Sequence, residues 1–588
     1  MVDRRTVLGA AGSAVIATAA GLAAPARQAA AHTGAKPGVT PADIRFRPRV
    51  LRTGTAQEVG LIPEYVDRVR TGAEAYLSPT TDHPAHPAYA GAVVLAARDG
   101  VVVQRAALGT AVRYRAVGPP PERAGVELPP AEQRPTRPDT IFDLASVSKL
   151  FTAITVLQQA EHGRVDLNAP VARYVPEFGK VDVTVRMLLT HTSGLPASAP
   201  LWSAYPDPPS RLAAALACPL LPGTVPGGQY LYSDLGFIAL GALVEQVSRL
   251  RLDRAVHAGI TGPLGMADTG YHPRNRERVA ATEYQPYAGR GMVWGEVHDE
   301  NAWSLGGGAG HAGVFSTADD LAVLCQALLG GGRYGGARIL RASTVRAMLT
   351  ARVHTPDGDR GLGFELNAPW YMDALSSPVT FGHTGFTGTS VVVDPLSHSF
   401  VILLTNRVHP DRNWGGNNEA RRAVARAFAD ASPVRPQRGG AAWRAARRDA
   451  ATVTLTAPLR APAAGPAAAA FLLWYDTEPG YDRVRVESSA DGGATWRPVA
   501  LRLRSATGGW ESDGVLDGYG GRHWSAVSAT LPPGTTHLRW AYTTDATAQG
   551  RGVYVDGVLV LDRTGALFHG EAGDARRFEA DGWAPSEM

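Results

Sequence analysis

The sequence predicts an α/β (α+β) architecture: an antiparallel β-sheet flanked by helices, with an all-helical subdomain, followed by an all-β sandwich. Three observations carry this reading. Two hairpin patterns, at 90–109 and 388–405, lie far apart, and helical periodicity fills the interval between them. After about residue 450 the texture changes to short strand-like runs separated by turn residues, with no long helical pattern. At 588 residues the chain exceeds one ordinary core, so two folded domains are expected.

The N-terminus reads as an export signal over 1–31. Asp3-Arg4-Arg5-Thr6-Val7-Leu8 precedes a weakly apolar run rich in Ala and Gly, and Ala29-Ala30-Ala31 forms an A-x-A site before His32. Paired arginines make it resemble a twin-arginine signal, with an ordinary secretory signal or an uncleaved anchor as alternatives. The expected location is therefore secreted or cell wall-associated. Nothing after residue 31 is long and apolar enough to span a bilayer.

Residues 32–60 are rich in Pro and Arg and are expected to wrap a surface. The first hairpin turns at Asp99-Gly100 between two Val-rich runs. Residues 110–138 are Pro-rich and read as loop. A helix starts near Ser146, with Leu150, Ala153, Ile154 and Leu157 on one face and Gly163 as its stop. Residues 164–330 read as short helices and loops, with helical spacing at 234–250 and 317–329. The second hairpin turns at Asp394-Pro395. These signals divide the chain into a signal at 1–31, a first domain at 32–435, a Pro-, Ala- and Arg-rich linker at 436–449, and a β-sandwich at 450–588.

Charge excludes some classes of partner. The formal charge is +4, and 1–31 carries +2 of it through Arg4, Arg5 and Arg27 against Asp3, leaving the remainder near neutral. That gives no electrostatic case for nucleic acid or anionic membrane. The two cysteines, Cys218 and Cys325, either form one disulfide or stay as two thiols, and they have no metal-ligand spacing.

The candidate chemistry begins at Lys149. The chain has only three lysines, Lys36, Lys149 and Lys180, among 58 basic residues, and one of them stands three residues after Ser146. Arginine keeps its proton at any useful pH, whereas a desolvated lysine can release it. A spacing of three puts both side chains on one helix face. Ser146 is thus a candidate nucleophile with Lys149 as proton acceptor, the alternative being a simple helix cap.

The flanks argue against a mere cap. The run Phe142-Asp143-Leu144-Ala145-Ser146-Val147-Ser148-Lys149-Leu150-Phe151-Thr152 resembles the nucleophile segment of the serine β-lactamase and penicillin-binding-protein superfamily, in its class C β-lactamase-related branch. Tyr232-Ser233-Asp234 resembles that branch's Tyr-x-Asn element, which implies that Tyr232 shares proton transfer with Lys149; Tyr230 is a nearby rival. His383-Thr384-Gly385, followed by Phe386, resembles the Lys-Thr-Gly strand. It implies a substrate-binding strand, with the N–H groups of Phe386 and Ser146 as an oxyanion hole. Supporting runs, Leu188-Leu-Thr-His-Thr-Ser-Gly-Leu195, Pro263-Leu-Gly-Met266, Val297-His-Asp-Glu-Asn-Ala302 and Gly310-His-Ala-Gly313, extend the resemblance over roughly residues 60–430. His298, Asp299 and His311 fit no zinc spacing and are expected to fix loops.

Two departures bear on substrate. Asp234 stands where many β-lactamases have Asn, adding negative charge that favours protonated Lys149. His383 stands where they have Lys, giving less fixed positive charge for a substrate carboxylate. The expected activity is a secreted serine hydrolase acting through an acyl-enzyme on an ester or D-amino-acid amide, carboxypeptidase-like or esterase-like, on a small-molecule or peptide acyl substrate that includes cell-wall peptide. The alternatives are a β-lactamase, or a non-catalytic cell-surface protein whose β-sandwich binds glycan or protein.

The C-terminal runs 474–482, 488–496 and 552–558 resemble the jelly-roll module of immune-inhibitor-A-type proteases, which implies an accessory role. No cofactor is expected for the reaction. Asp476, Asp482 and Asp556 are candidate ligands for a structural Ca²⁺, with turn-capping aspartates as the alternative reading. Tryptophans here either bind glycan or fill the core.

Overall fold

The Asp99-Gly100 turn forms as its residue types dictate. Both residues take positive φ, 50° and 81°, as a tight two-residue hairpin requires. The strands on either side, β1 (Gly91–Arg98) and β2 (Val101–Val112), pair antiparallel. The later segments β3 (Phe381–Thr384), β4 (Ser390–Asp394) and β5 (Ser399–Thr405) continue the sheet in the order β2-β1-β5-β4-β3. Three shorter strands follow β3 at its edge: Glu365–Leu366, Gly358–Arg360 and Val353–Thr355.

This computed structural model describes residues 38–81 and 83–588, and the export signal read at 1–31 lies outside them. No helix among the described residues is long and apolar enough to cross a membrane. Contacts divide the chain into two compact units, one of Val39–Pro433 and one containing Val434–Met588.

The first unit is built in layers because its central strands are apolar on both faces. Ala92, Val94 and Ala96 of β1 pack with Val66 and Val69 of α1 (Pro63–Glu74) and with Val424 and Phe428 of the C-terminal helix Asn418–Asp430. The alternate residues Val93, Leu95 and Ala97 join Phe151 and Ile154 of α2 (Ser148–Glu161). A side-chain period of two divides one uninterrupted apolar run between two cores. On the α2 side lie the short helices of the middle segment and two longer ones. These are α3 (Asp234–Ser248), capped by the Ser233 hydroxyl on the N–H of Gly236, and α4 (Ala318–Leu329), capped by Thr317 on the N–H of Asp320. We call the helix Asn418–Asp430 α5.

Several segments differ from the sequence reading. Residues 110–138 are not plain loop: Tyr114–Val117 pairs with Gly125–Glu127, and Arg134–Pro135 pairs with β2. Within 32–60, Arg52–Thr53 adds a parallel strand beside β2. The stretch read as linker holds a strand, Ala442–Ala445, which pairs with both Gly552–Asp562 and Trp583–Ser586. Its Ala- and Arg-rich composition carries no strand signal; two partner strands remote in sequence supply one. Cys218 and Cys325 are both free thiols.

The second unit is a β-sandwich. An eight-stranded and a six-stranded sheet, antiparallel throughout, enclose one core that contains Leu455, Phe471, Val486, Leu503, Trp540 and Val555. Trp474, Trp510, Trp540 and Trp583 are buried, whereas Trp496 and Trp524 are half-buried. The three aspartates named as Ca²⁺ ligands do not converge. Asp476 pairs with Arg522 at 2.9 Å, and Asp556 accepts the N–H groups of Gln437 and Arg438. Asp482 accepts from Tyr542 and from the Asp545 N–H, grouped with Glu478 and Asp545. Non-local strand pairing, invisible in their spacing, separates them.

Phe151 is fully buried between α2 and the sheet. Truncating it to Ala is expected to destabilise the first unit by about 3–5 kcal/mol, measured by urea denaturation; a loss under about 1 kcal/mol would contradict this packing.

Candidate active site

The site is built on one strained turn. Strand Phe142–Asp143 leads into a 3-10 turn, Ala145–Val147, which runs directly into α2. Ala145 sits at φ 46°, a left-handed conformation that costs a residue with a Cβ roughly 1–2 kcal/mol. The buried Asp143 carboxylate holds it there, accepting the Ala145 N–H at 2.8 Å and the His298 N–H at 2.6 Å. Ser146 thereby stands at the start of α2, its hydroxyl part-exposed.

Lys149 follows one turn later and is fully buried. Its Nζ donates to Ser146 Oγ at 2.9 Å and to the His311 carbonyl at 3.1 Å, and lies 2.7 Å from Asp234 Oδ1. Burial alone would push the ammonium's pKa down. The charge of Asp234, with Tyr232, more than reverses this and holds it above the ordinary lysine value. Lys149 is therefore an ammonium in the resting site, as Asp234 at this position led us to expect.

Tyr232 completes the group, its OH 3.0 Å from Ser146 Oγ. The Lys149 ammonium lies 4.9 Å from its ring centroid, a cation–π distance. Burial raises the phenol's pKa, partly offset by Lys149. Tyr230, the rival, instead lies against the Arg360 guanidinium. His191, which sequence reasoning treated only as part of a supporting run, proves to position Tyr232. Its ring stacks on Tyr232 at 4.5 Å, and its Nδ1 accepts the Ser233 N–H at 3.0 Å. Burial keeps this imidazole neutral.

The strand β3 forms the opposite wall. His383 is buried and its Nδ1 donates to the Thr384 carbonyl at 2.7 Å. Burial pulls its pKa down to about 4, so it presents no charge at neutral pH. Beyond Thr384 the chain turns sharply through 385–389 against the Ser146 turn. A Cβ on Gly385 would meet the Leu144 carbonyl at 2.3 Å, so only glycine permits this approach. Thr387 and Thr389 hydroxyls donate to the carbonyls of Asp143 and Leu144 at 2.7 and 3.0 Å. Among the described residues, neither the Ser146 N–H nor the Phe386 N–H donates within the protein. Both remain available to a developing oxyanion.

Two buried pairs fix the surrounding loops. His298 bonds Glu283 at 2.8 Å, its ring stacked on Phe386. Burial alone would raise the Glu283 carboxyl, but His298 and Arg412 bring it down to about 2. His311 bonds Asp299 at 2.8 Å, which locates the carbonyl that receives Lys149. A Cβ on Gly310 would meet the Phe237 carbonyl at 1.9 Å, so the His311 segment lies directly on α3. These histidines make loop-fixing bonds.

A family model described as Beta-lactamase matches residues 80–426. A protein of Escherichia coli K12, provisionally named D-alanyl-D-alanine carboxypeptidase, is 33% identical over 361 residues, covering 55% of this chain and 79% of its own. One from Salmonella agona with the same provisional name is 34% identical over 311 residues, 46% and 70% of the two chains. Among solved structures, a class C β-lactamase from Rhodobacter sphaeroides is 22% identical with a TM-score of 0.47, covering 61% of this chain and 98% of its own.

The scarcity of lysine makes the charge state measurable. With selectively ¹³C-labelled lysine, Asp234→Asn is expected to lower the pH at which Lys149 titrates by about 1–3 units; an unchanged or higher value would contradict the pairing.

Proposed function

Because the chain belongs to the beta-lactamase family and is a serine hydrolase, we propose that Ser146 is its nucleophile and that it cleaves peptides ending in D-alanyl-D-alanine through an acyl-enzyme. The observation that carries this reading is the meeting of two proton-bearing side chains at one oxygen, with Lys149 Nζ 2.9 Å and Tyr232 OH 3.0 Å from Ser146 Oγ.

In this reading Ser146 Oγ attacks the penultimate carbonyl. The hydroxyl proton passes to the Lys149–Tyr232 couple once that couple has lost a proton. The Tyr232–Ser146 bond joins two hydroxyls, so donor and acceptor exchange without movement of heavy atoms. The N–H groups of Ser146 and Phe386 hold the oxyanion. The C–N bond then breaks, and the departing amine takes its proton from Tyr232. Water, deprotonated by the same couple, attacks the ester, and the acid leaves with Ser146 restored. Lys149 takes part in that transfer by giving up and regaining its own proton, and while protonated its charge makes the phenolate accessible. Acylation accordingly rises with pH on the alkaline side, since Asp234 holds the couple protonated.

The names of the relatives support the peptide substrate. A second reading, a neutral ester, is favoured by His383, whose uncharged imidazole offers a substrate carboxylate little attraction. Export by the N-terminal signal and an accessory role for the β-sandwich fit a cell-wall substrate.

The purified protein is expected to release D-alanine from an acyl-D-alanyl-D-alanine peptide with a higher kcat/KM than it shows for p-nitrophenyl esters or nitrocefin, and Ser146→Ala to abolish turnover. Preference for the esters supports the second reading; turnover surviving in Ser146→Ala would refute both. Lys149→Arg keeps the charge but not the exchangeable ammonium, and is expected to slow acylation by about 10²–10⁴-fold. Near-normal stopped-flow acylation in that variant removes Lys149 from the proton path.

A further inference from the structure

The 385–389 turn has its inner face on the Ser146 turn, and its outer carbonyls are all claimed. Arg421 Nη2 donates to the Gly385 carbonyl at 2.8 Å and to the Thr389 carbonyl at 3.0 Å. Arg407 Nε donates to the Phe386 carbonyl at 2.9 Å, and its backbone N–H to the Thr387 carbonyl at 2.9 Å. Thr405 and Asn417 share the Gly388 carbonyl. The stem of Arg407 passes where a Cβ on Gly388 would meet its Cγ at 2.8 Å, and Gly388 has φ 111°, so that glycine admits the arginine.

The contact from Arg421 has a particular consequence. The Gly385 carbonyl and the Phe386 N–H belong to one peptide unit. A cation bonded to the oxygen draws electron density from the nitrogen and strengthens the N–H as a donor, because hydrogen bonds along one amide polarise each other. We propose that Arg421 is a positioning residue of the oxyanion hole: its guanidinium orients and polarises the Gly385–Phe386 amide so that the Phe386 N–H binds a developing oxyanion more strongly. Arg407 fixes the adjoining Phe386–Thr387 amide in the same way. The inference rests on the reading of Ser146 as nucleophile and of Phe386 as oxyanion donor.

Packing alone does not explain a cation at this place. Arg421 lies near the N-terminus of α5, where the helix dipole disfavours positive charge. Among the described residues it has no carboxylate within ion-pair range; its Nη1 bonds only the Asn418 side-chain oxygen, at 2.7 Å. Arg407 is also buried without such a partner. Burial and the neighbouring Arg407 charge pull the Arg421 pKa down. Among the described residues, the fold thus holds a charge with no carboxylate in direct contact behind the Phe386 N–H, at a site where a neutral donor would satisfy the same carbonyls at lower desolvation cost.

The test is infrared spectroscopy of the acyl-enzyme formed with p-nitrophenyl acetate isotope-labelled at the acyl carbonyl, in wild type, Arg421→Met, Arg421→Gln and Arg421→Lys. The carbonyl band is expected to move to higher wavenumber in the Met and Gln variants as the donor weakens. Acylation kcat should fall by roughly 10–100-fold, less than outright loss of an oxyanion donor at about 10²–10³-fold, with KM little changed. Arg421→Lys should recover most of the band position. Should Arg421→Met not fold, Arg421→Gln, which keeps a neutral donor, carries the comparison. An acyl band at the wild-type position in Arg421→Gln overturns the inference while leaving Ser146 as nucleophile. Absence of any acyl band in the wild type overturns the reading of Ser146, and the inference with it.

Discussion

A lysine ammonium with no access to water sets the terms for the rest of the first unit. A charge at that depth with no oxygen to solvate it would be untenable. Three oxygens, from Asp234, Ser146 and the His311 carbonyl, take the place of solvent. Each must then be delivered by a different part of the chain. Asp234 comes from the first turn of α3, Ser146 from the turn before α2, and His311 from a glycine-bounded segment pressed against α3 and stitched to α2. That last seam consists of the Thr152 hydroxyl on the Gly310 carbonyl and the Val314 N–H on the Ser148 hydroxyl. Three positions on one helical face, Ser148, Lys149 and Thr152, therefore bind a single loop. Solvating the lysine and assembling the cleft are one structural act.

The turn that carries Ser146 is over-determined from both sides. Asp143 ties it to the His298 loop, and the hydroxyls of Thr387 and Thr389 tie it to the end of β3. This redundancy sustains the left-handed Ala145, which would relax in a freer loop. The result, among the described residues, is that the N–H groups of Ser146 and Phe386 stay unengaged in a rigid setting. The arginines behind the 385–389 turn extend the same logic outward. Rigid support of a donor pair matters most when charge builds up on substrate within a single step, leaving no time for reorganisation.

Legibility in the sequence followed the range of the interactions. The Ser146–Lys149 juxtaposition was readable because it is a local helical spacing. The hairpin at Asp99-Gly100 and the caps Ser233 and Thr317 are likewise local. Tyr232 and His383 were readable only through motif resemblance, since their approach to Ser146 spans 86 residues for Tyr232 and more for His383. Arg407 and Arg421 carried no signal: arginine is so common in this chain that two more of them stand out from nothing. His191 was hidden because its role is to stack on an aromatic 41 positions away, and neither residue type specifies that. The strand Ala442–Ala445 reads as linker, and the sandwich aspartates as either a Ca²⁺ site or turn caps, for the same reason: partner strands remote in sequence decide both.

The central claim is that substrate carbon becomes bonded to Ser146 Oγ during turnover. Acid-quenching the protein within the first turnovers on an acyl-D-alanyl-D-alanine peptide, followed by proteolysis and mass spectrometry, tests it directly. An acyl adduct is expected on the peptide containing Ser146, localised by fragmentation to that residue and absent after long incubation without substrate. An adduct on Ser148 or Ser193, or efficient release of D-alanine with no covalent species at any quench time, would contradict it.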